Sequence, residues 1–221
     1  MTEGHGPGIF VTGTGTEVGK TVVAATIAHT AAERGERVAV FKPAVSGLDE
    51  AGEPDHHLLR RAAGSSQSDD QIAPYRYGAP VSPHLGAELA GETIEPARLV
   101  AAAADAARGA DLLVVEGVGG FLVPLTLGYL VRDFARELGF AATIAAPSGL
   151  GTINHTLLTI ESVRCVGLEV AAVVLTPWPD EAGVLERSNR EAIERLGRVR
   201  VELLPRLDLS DPKSWPVSDL V

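Results

Sequence analysis

The 221-residue chain is 45% hydrophobic and 22% charged, which excludes a disordered, fibrous or collagen-like polymer and suits a globular domain with a sizeable core. Nineteen basic against 29 acidic residues leave a formal charge of −10, so no broad docking surface for nucleic acid or an anionic membrane is expected, while a local cationic pocket is compatible with it. One cysteine, Cys165, allows neither an intrachain disulfide nor a thiol-rich metal site; with no secretion signal or membrane-spanning apolar run in view, a reducing, cytoplasmic setting is expected.

In chain order, residues 8–11 form a short apolar run that predicts a buried strand, and 20–34 have helical length, with Val22, Val23 and Ile27 turned inward. A second strand is predicted at 37–42 and a short helix at 55–63. Residues 65–91, with Pro74, Pro80, Pro83 and several glycines, read as a long irregular excursion, a length that loops reach mainly when they are functional. Then follow a helix at 96–107, a strand at 111–116 and a helix at 129–138. The last of these places Leu130, Val131, Phe134 and Leu138 on one stripe and ends at Gly139. A strand at 140–146, a helix at 152–166, a strand at 169–176, a helix at 183–196 and a strand at 199–204 complete the pattern. Such alternation predicts an α/β fold, an open and mostly parallel sheet with helices on both faces, as a single domain over residues 1–221.

The first strand runs into Gly13-Thr14-Gly15-Thr16-Glu17-Val18-Gly19-Lys20-Thr21 and then into a helix, the context a phosphate-binding loop requires. Glycines let successive N–H groups face an anion, and the helix dipole adds positive potential. Lys20 would reach the β- and γ-phosphates and the Thr21 hydroxyl would ligate Mg²⁺. Five residues rather than the usual four separate Gly13 from Gly19.

A magnesium site needs a carboxylate from elsewhere in the fold. Glu116 ends an apolar strand and precedes Gly117-Val118-Gly119-Gly120, the strand-end position where open α/β sheets bind ligands. Asp55 follows Pro54 and opens a short helix, which fits a helix N-cap as well as a metal ligand. Lys42 leaves a predicted central strand for Pro43-Ala44-Val45-Ser46-Gly47. A lysine there is either a solvated strand end or part of a site, and the neighbouring phosphate loop favours the site. The histidines show no ligand constellation; adjacent His56 and His57 diverge by about 100° on a helix and are not expected to face one metal.

Together these segments, with Ser82-Pro83-His84 and residues 150–159 (Leu-Gly-Thr-Ile-Asn-His-Thr-Leu-Leu-Thr), resemble the dethiobiotin synthetase family over nearly the whole chain. The five-residue spacing is similar to that family's own form of the loop. The resemblance implies a P-loop NTPase-like fold and an ATP-dependent carboxylation and ring closure of 7,8-diaminononanoate with CO₂ in biotin biosynthesis. It implies Mg²⁺ on Thr21, Asp55 and Glu116, with Glu17, Val18, Gly19, Lys20 and Thr21 around the triphosphate and Gly117, Val118 and Gly119 beside it. Lys20, Lys42 and Thr16 would act at the reacting groups, and Thr16, Lys42 and Ser46 would hold the substrate end. The substrate carboxylate would meet Gly149, Leu150, Gly151, Thr152 and Asn154 across a homodimer interface, although residues 149–154 by themselves read sooner as the wet start of an amphipathic helix, an order the resemblance reverses. The base would be read at Thr176, Pro177, Pro205, Arg206 and Leu207. Thr176 stands where the family pattern has an asparagine, and a hydroxyl cannot make the bidentate pairing of an amide, so other nucleoside triphosphates are expected as substrates too.

Three other classes compete. A regulatory ATPase switch of the partition or cell-division type would carry an extra lysine near the start of the loop, where Thr14, Gly15 and Thr16 stand here. An amidating ligase would need a glutaminase domain. A plain nucleotide-binding module would leave Lys42, Ser46 and residues 149–154 without work.

Overall fold

The computed structural model describes residues 7–217; His5 and the rest of the first six residues lie outside it. Strands β1 (Gly8–Gly13), β2 (Val38–Phe41), β3 (Leu112–Glu116), β6 (Ala141–Ala146), β7 (Val170–Trp178) and β8 (Val201–Pro205) form one sheet in the order β2-β3-β1-β6-β7-β8. Every adjacent pair in that sheet is parallel. The central strands read as continuous apolar runs because helices cover both their faces.

Two apolar clusters flank the sheet. One holds Phe10, Phe41, Leu113, Val115 and Ile144 with Phe134 and Ile160 from the helices α6 (Val131–Leu138) and α7 (Thr152–Cys165). The other holds Val11, Val40, Val114 and Val174 with α1 (Lys20–Glu33) and α2 (Asp55–Ala62). Helices α5 (Pro96–Ala107) and α8 (Val184–Gly197) complete the covering elements near their expected places. No helix among the described residues is long and apolar enough to cross a membrane.

Two expectations are corrected. The predicted helix at 129–138 begins two residues later: Tyr129–Leu130 is β5, paired antiparallel with β4 (Pro124–Thr126), because Leu130 N donates to Asp133 Oδ2 (2.9 Å) and starts the helix after itself. The excursion at 65–91 is less irregular than its proline content suggests. It contains α3 (Asp69–Ile72), opened by a Ser68 capping box, and α4 (Pro83–Ala90), with Pro83 in its first turn.

The excursion also completes the exposed edge of β2. The Gln67 side-chain amide receives Val40 N–H at 2.9 Å and donates to Val40 C=O at 3.1 Å, satisfying a strand peptide as a neighbouring strand would. Further on, Lys42 N–H donates to Ile72 C=O and Val45 bridges to Arg76. This segment therefore fixes the backbone on either side of Lys42.

Candidate active site

Loop 14–19 leaves β1 and closes on α1. Gly19 sits at φ +90°, and a Cβ there would come within 2.5 Å of the Thr176 methyl, so only glycine allows this turn against β7. Glu17 also takes a left-handed backbone (φ +59°), which a non-glycine residue adopts at some cost. Lys20 is buried and donates from Nζ to Gly15 C=O at 2.7 Å, curling its side chain back over the loop.

The strand ends bring the remaining charges to it. Lys42 Nζ lies 2.5 Å from Glu116 Oε1 and 2.6 Å from Asp55 Oδ2, and the Thr21 hydroxyl donates to the same Glu116 oxygen at 2.9 Å. Burial by itself would lower the Lys42 pKa, but Glu116 and Asp55 outweigh it and hold the ammonium above its ordinary value. Burial by itself would raise the Asp55 pKa, yet Lys42 outweighs it and the carboxyl lies below its ordinary value. Glu116 goes up, because full burial and repulsion from Asp55 exceed the attraction of the lysines. Lys20 goes down, since desolvation exceeds the attraction of Glu116 and Lys42 repels it. Glu116 Oε2 is buried with no hydrogen-bond partner, a free acceptor beside a hydroxyl and a second carboxylate.

A cavity of about 960 Å³ opens over this cluster. Lys20, Lys42, Thr21, Asp55 and Glu116 line it together with Thr16, Glu17, Gly19, Ser46, Val118 and Gly119, so predicted residues from distant segments share one space. Pro80, Val81, Ser82 and Pro83 add a wall from the excursion. Sequence reasoning missed Glu50, Glu53, Arg61, Leu209 and Ser210, which also line it. None of these occupies a recognisable spacing, and the last two meet α2 only through folding.

Other predicted residues lie elsewhere. Val18 packs over Gly13, and Gly117 donates its N–H to Val11 C=O beneath Phe10. Thr176 is buried against Gly19, Ser148 Oγ donates to Pro177 C=O at 3.1 Å, and Pro205 pairs with Trp178. Arg206 is exposed and Leu207 half-buried on the segment that leaves β8. Residues 149–154 form the N-terminus of α7, where Leu150 is 90% exposed, Gly151 adopts φ +90° and Thr152 is buried. Asn154 is exposed, and Asn189 Nδ2 donates to the carbonyls of Ser148 and Gly149, fixing the turn. Beside this helix lies a second, mostly apolar cavity of about 430 Å³, lined by Thr14, Phe121, Leu122, His155 and Leu158.

His56 and His57 do not diverge as a regular helix predicts. In the first turn of α2 their rings sit 4.3 Å apart, and their Nε2 atoms approach Asp69 Oδ2 at 3.8 and 3.3 Å. The same carboxylate binds Arg60 Nη1 at 2.5 Å, so the group is an ion-paired staple between α2 and α3.

A family model described as an AAA domain matches residues 7–213. ATP-dependent dethiobiotin synthetases resemble the chain over most of its length: that of Anaeromyxobacter dehalogenans (strain 2CP-C) is 42% identical over 200 residues, covering 90% of this chain and 89% of the relative. The chain belongs to the dethiobiotin synthetase family. The Mycobacterium tuberculosis (strain CDC 1551 / Oshkosh) enzyme is 41% identical, covering 88% of this chain and 85% of its own, and that of Rhodococcus erythropolis 40%, covering 82% and 80%. Among solved structures, the signal recognition particle 54 kDa protein of Aeropyrum pernix in complex with GDP aligns with a TM-score of 0.50 at 16% identity. It covers 95% of this chain, which spans 43% of that one, and the likeness is one of fold.

Proposed function

We propose that residues 1–221 act as one P-loop unit in which the larger cavity makes dethiobiotin from 7,8-diaminononanoate, CO₂ and ATP. The observation that carries this reading is the position of Lys42: fully buried, held between Glu116 and Asp55, and opening into the same cavity as Lys20 and the phosphate loop. A nucleotide-binding module has no use for that second lysine. A carbamate has.

One amine of the substrate adds to CO₂ and loses a proton, giving a carbamate. A carbamate oxygen then attacks the γ-phosphorus as the bond to ADP breaks, leaving a carbamic-phosphoric anhydride. The second amine attacks the carbonyl carbon, phosphate leaves and the nitrogen gives up its proton, closing the cyclic urea. Lys42 and Lys20 present positive charge to the carbamate and the transferring phosphoryl group, where charge spreads over the oxygens. Thr16 and Ser46 orient the substrate end, and the loop from Glu17 to Thr21 holds the triphosphate.

The oxygen donors Thr21, Asp55 and Glu116, with the unpartnered Glu116 Oε2, fit Mg²⁺, a hard cation that selects such ligands. Mg²⁺ held there would neutralise charge on the β- and γ-phosphates. The substrate carboxylate would bind the free amides at the start of α7, with Gly149, Leu150, Gly151, Thr152 and Asn154 contributed across a homodimer. Exposed Leu122 and Leu158 on the apolar cavity, and exposed Leu150 at the start of α7, support that assembly. Leu158→Asp should then convert a dimer into a monomer in sedimentation; an unchanged dimer would remove this face from the interface.

Base recognition would fall to Pro177, Pro205, Arg206 and Leu207 around Thr176, with weak discrimination among nucleoside triphosphates. A cytoplasmic location belongs to the same reading and is supported by the exposed free thiol of Cys165. The deciding experiment is phosphate release in the presence of nucleotide. It should require both the diamine and bicarbonate; release independent of either would favour a nucleotide switch instead.

A further inference from the structure

Two helices begin at the phosphate site, α1 at Lys20 and α2 at Asp55, and each grips the chain that follows β8. Arg61, in the last turn of α2, pairs with Glu53 (Nη2 to Oε2 2.6 Å, Nε to Oε1 3.3 Å). The same guanidinium donates to the carbonyls of Leu209 (2.8 Å) and Ser210 (3.4 Å). On α1, His29 meets the Trp215 ring edge-on at 5.8 Å, and Trp215 Nε1 donates to Asp208 C=O at 2.7 Å. Trp215 is 4% exposed, so the segment is anchored at both ends.

What the Arg61 anchor holds matters. Leu209 and Ser210 line the cavity that holds Lys20, Lys42 and Asp55, and Arg61 lines it beside them. Residues 206–211 belong to no strand or helix, so no backbone ladder holds this wall. Leu207 packs on the core at its start and Asp208 ties to Ser210 within it, and beyond Leu207 the Arg61 fork and the Trp215 contact join it to the helices. A lysine could not replace the fork, because one ammonium does not reach two carbonyls and both oxygens of a carboxylate in a plane. Glu53 neutralises the guanidinium, which makes it a tie between elements rather than a charge aimed at phosphate.

We infer that Arg61 is a positioning residue for the nucleotide: it fixes the 206–210 wall against α2, the helix whose first residue is Asp55. The inference rests on the proposal that this cavity takes a nucleoside triphosphate, and it assigns a determinant of nucleotide affinity outside the phosphate loop. Losing a charged tie of this kind shifts affinity by about tenfold or more. An interaction of wall and bound nucleotide that is alike in ground and transition states appears in KM and not in kcat.

The test uses the full chain, with Trp178→Phe as background so that Trp215 is the single indole reporter. Arg61→Gln should raise the nucleotide KM about tenfold, leave kcat within about twofold, and make Trp215 more accessible to iodide quenching. Arg61→Lys should not restore the KM, and Trp215→Leu, which frees the other anchor, should move it in the same direction. An unchanged nucleotide KM in Arg61→Gln, or a fall in kcat at constant KM, overturns the inference. A fluorescent nucleotide titrated into Lys20→Ala separates the two levels. If binding is lost there but unaffected in Arg61→Gln, only the role of Arg61 falls. If binding persists unchanged in Lys20→Ala, the nucleotide reading of the cavity falls first.

Discussion

Strands β2 and β3 are tied by an ion pair at both ends, and the two pairs differ in nearly everything but charge. Before the strands begin, Arg37 grips Asp111 as a fork, Nε to Oδ2 at 2.9 Å and Nη2 to Oδ1 at 2.7 Å, with side chains 70% and 45% exposed. At their other end, Lys42 just past β2 meets Glu116, the last residue of β3, at 2.5 Å with side chains 4% and 0% exposed. Hydrogen bonds from Arg37 hold the Asp111 carboxyl well below the carboxylate range, whereas burial raises Glu116 from its ordinary value. The exposed pair has the better hydrogen-bond geometry, yet water screens it. The buried pair keeps an unscreened field because water is excluded, and only such a field can stabilise charge developing on a substrate.

Removing the buried cation should break this contrast most sharply. Lys42→Ala should lower turnover by at least ~10²–10³-fold while largely retaining nucleotide, read by steady-state kinetics and a binding titration. Stranding Glu116 should also cost about 3–5 kcal/mol of stability at neutral pH. The sign follows from the direction of its shift: a carboxyl raised on folding favours the folded state below its unfolded value and loses that contribution as pH rises through the folded one. The melting-temperature deficit of Lys42→Ala should therefore be small in acid and grow toward neutrality. A deficit independent of pH would mean that Glu116 is not the stranded group.

Glu116→Gln should have the next largest effect, with turnover down about 10²-fold and a higher magnesium requirement. It also removes the leading support of the raised Lys42 pKa. The Lys42 contribution, present below the unfolded value of 10.5 and lost as pH rises through the higher folded value, should then fail at lower pH than in wild type. Alkaline unfolding monitored by circular dichroism would check this; coincident wild-type and variant curves would contradict it.

Asp111→Asn sharpens the comparison from the weak end. Turnover should not change, and the melting temperature should drop slightly at neutral pH. Because the folded Asp111 pKa lies below its ordinary 3.8, its contribution is present above that value and lost as pH falls through the folded one. Variant and wild type should converge in acid, whereas the Glu116→Gln difference appears at the alkaline end. A large loss of activity would show that the exposed tie is part of the catalytic apparatus after all.

The residues show why some of this was legible beforehand. Strands buried on both faces announce themselves as unbroken apolar runs, so all six strands of the main sheet were visible. The glycine-rich loop with Lys20 and Thr21 carries its chemistry in contiguous residues. The β4–β5 hairpin, with strands of three and two residues, is too short to leave a period. Helices α3 and α4 were hidden in proline-rich sequence, where Ser68 and Pro83 turn out to mark helix starts. His56 and His57 broke the regular-helix expectation because rings in a first turn can swing toward a third residue.

Local sequence was enough for the layered α/β architecture, the phosphate loop and the candidacy of Lys42, Asp55 and Glu116, because burial pattern and backbone geometry are written in neighbouring residues. Only the folded chain decided that Lys42 sits between those two carboxylates, that one oxygen of Glu116 lacks a partner, and that Arg61 reaches carbonyls 148 and 149 positions away. Those facts are electrostatic and depend on distance and on the exclusion of water, which no spacing along a chain encodes.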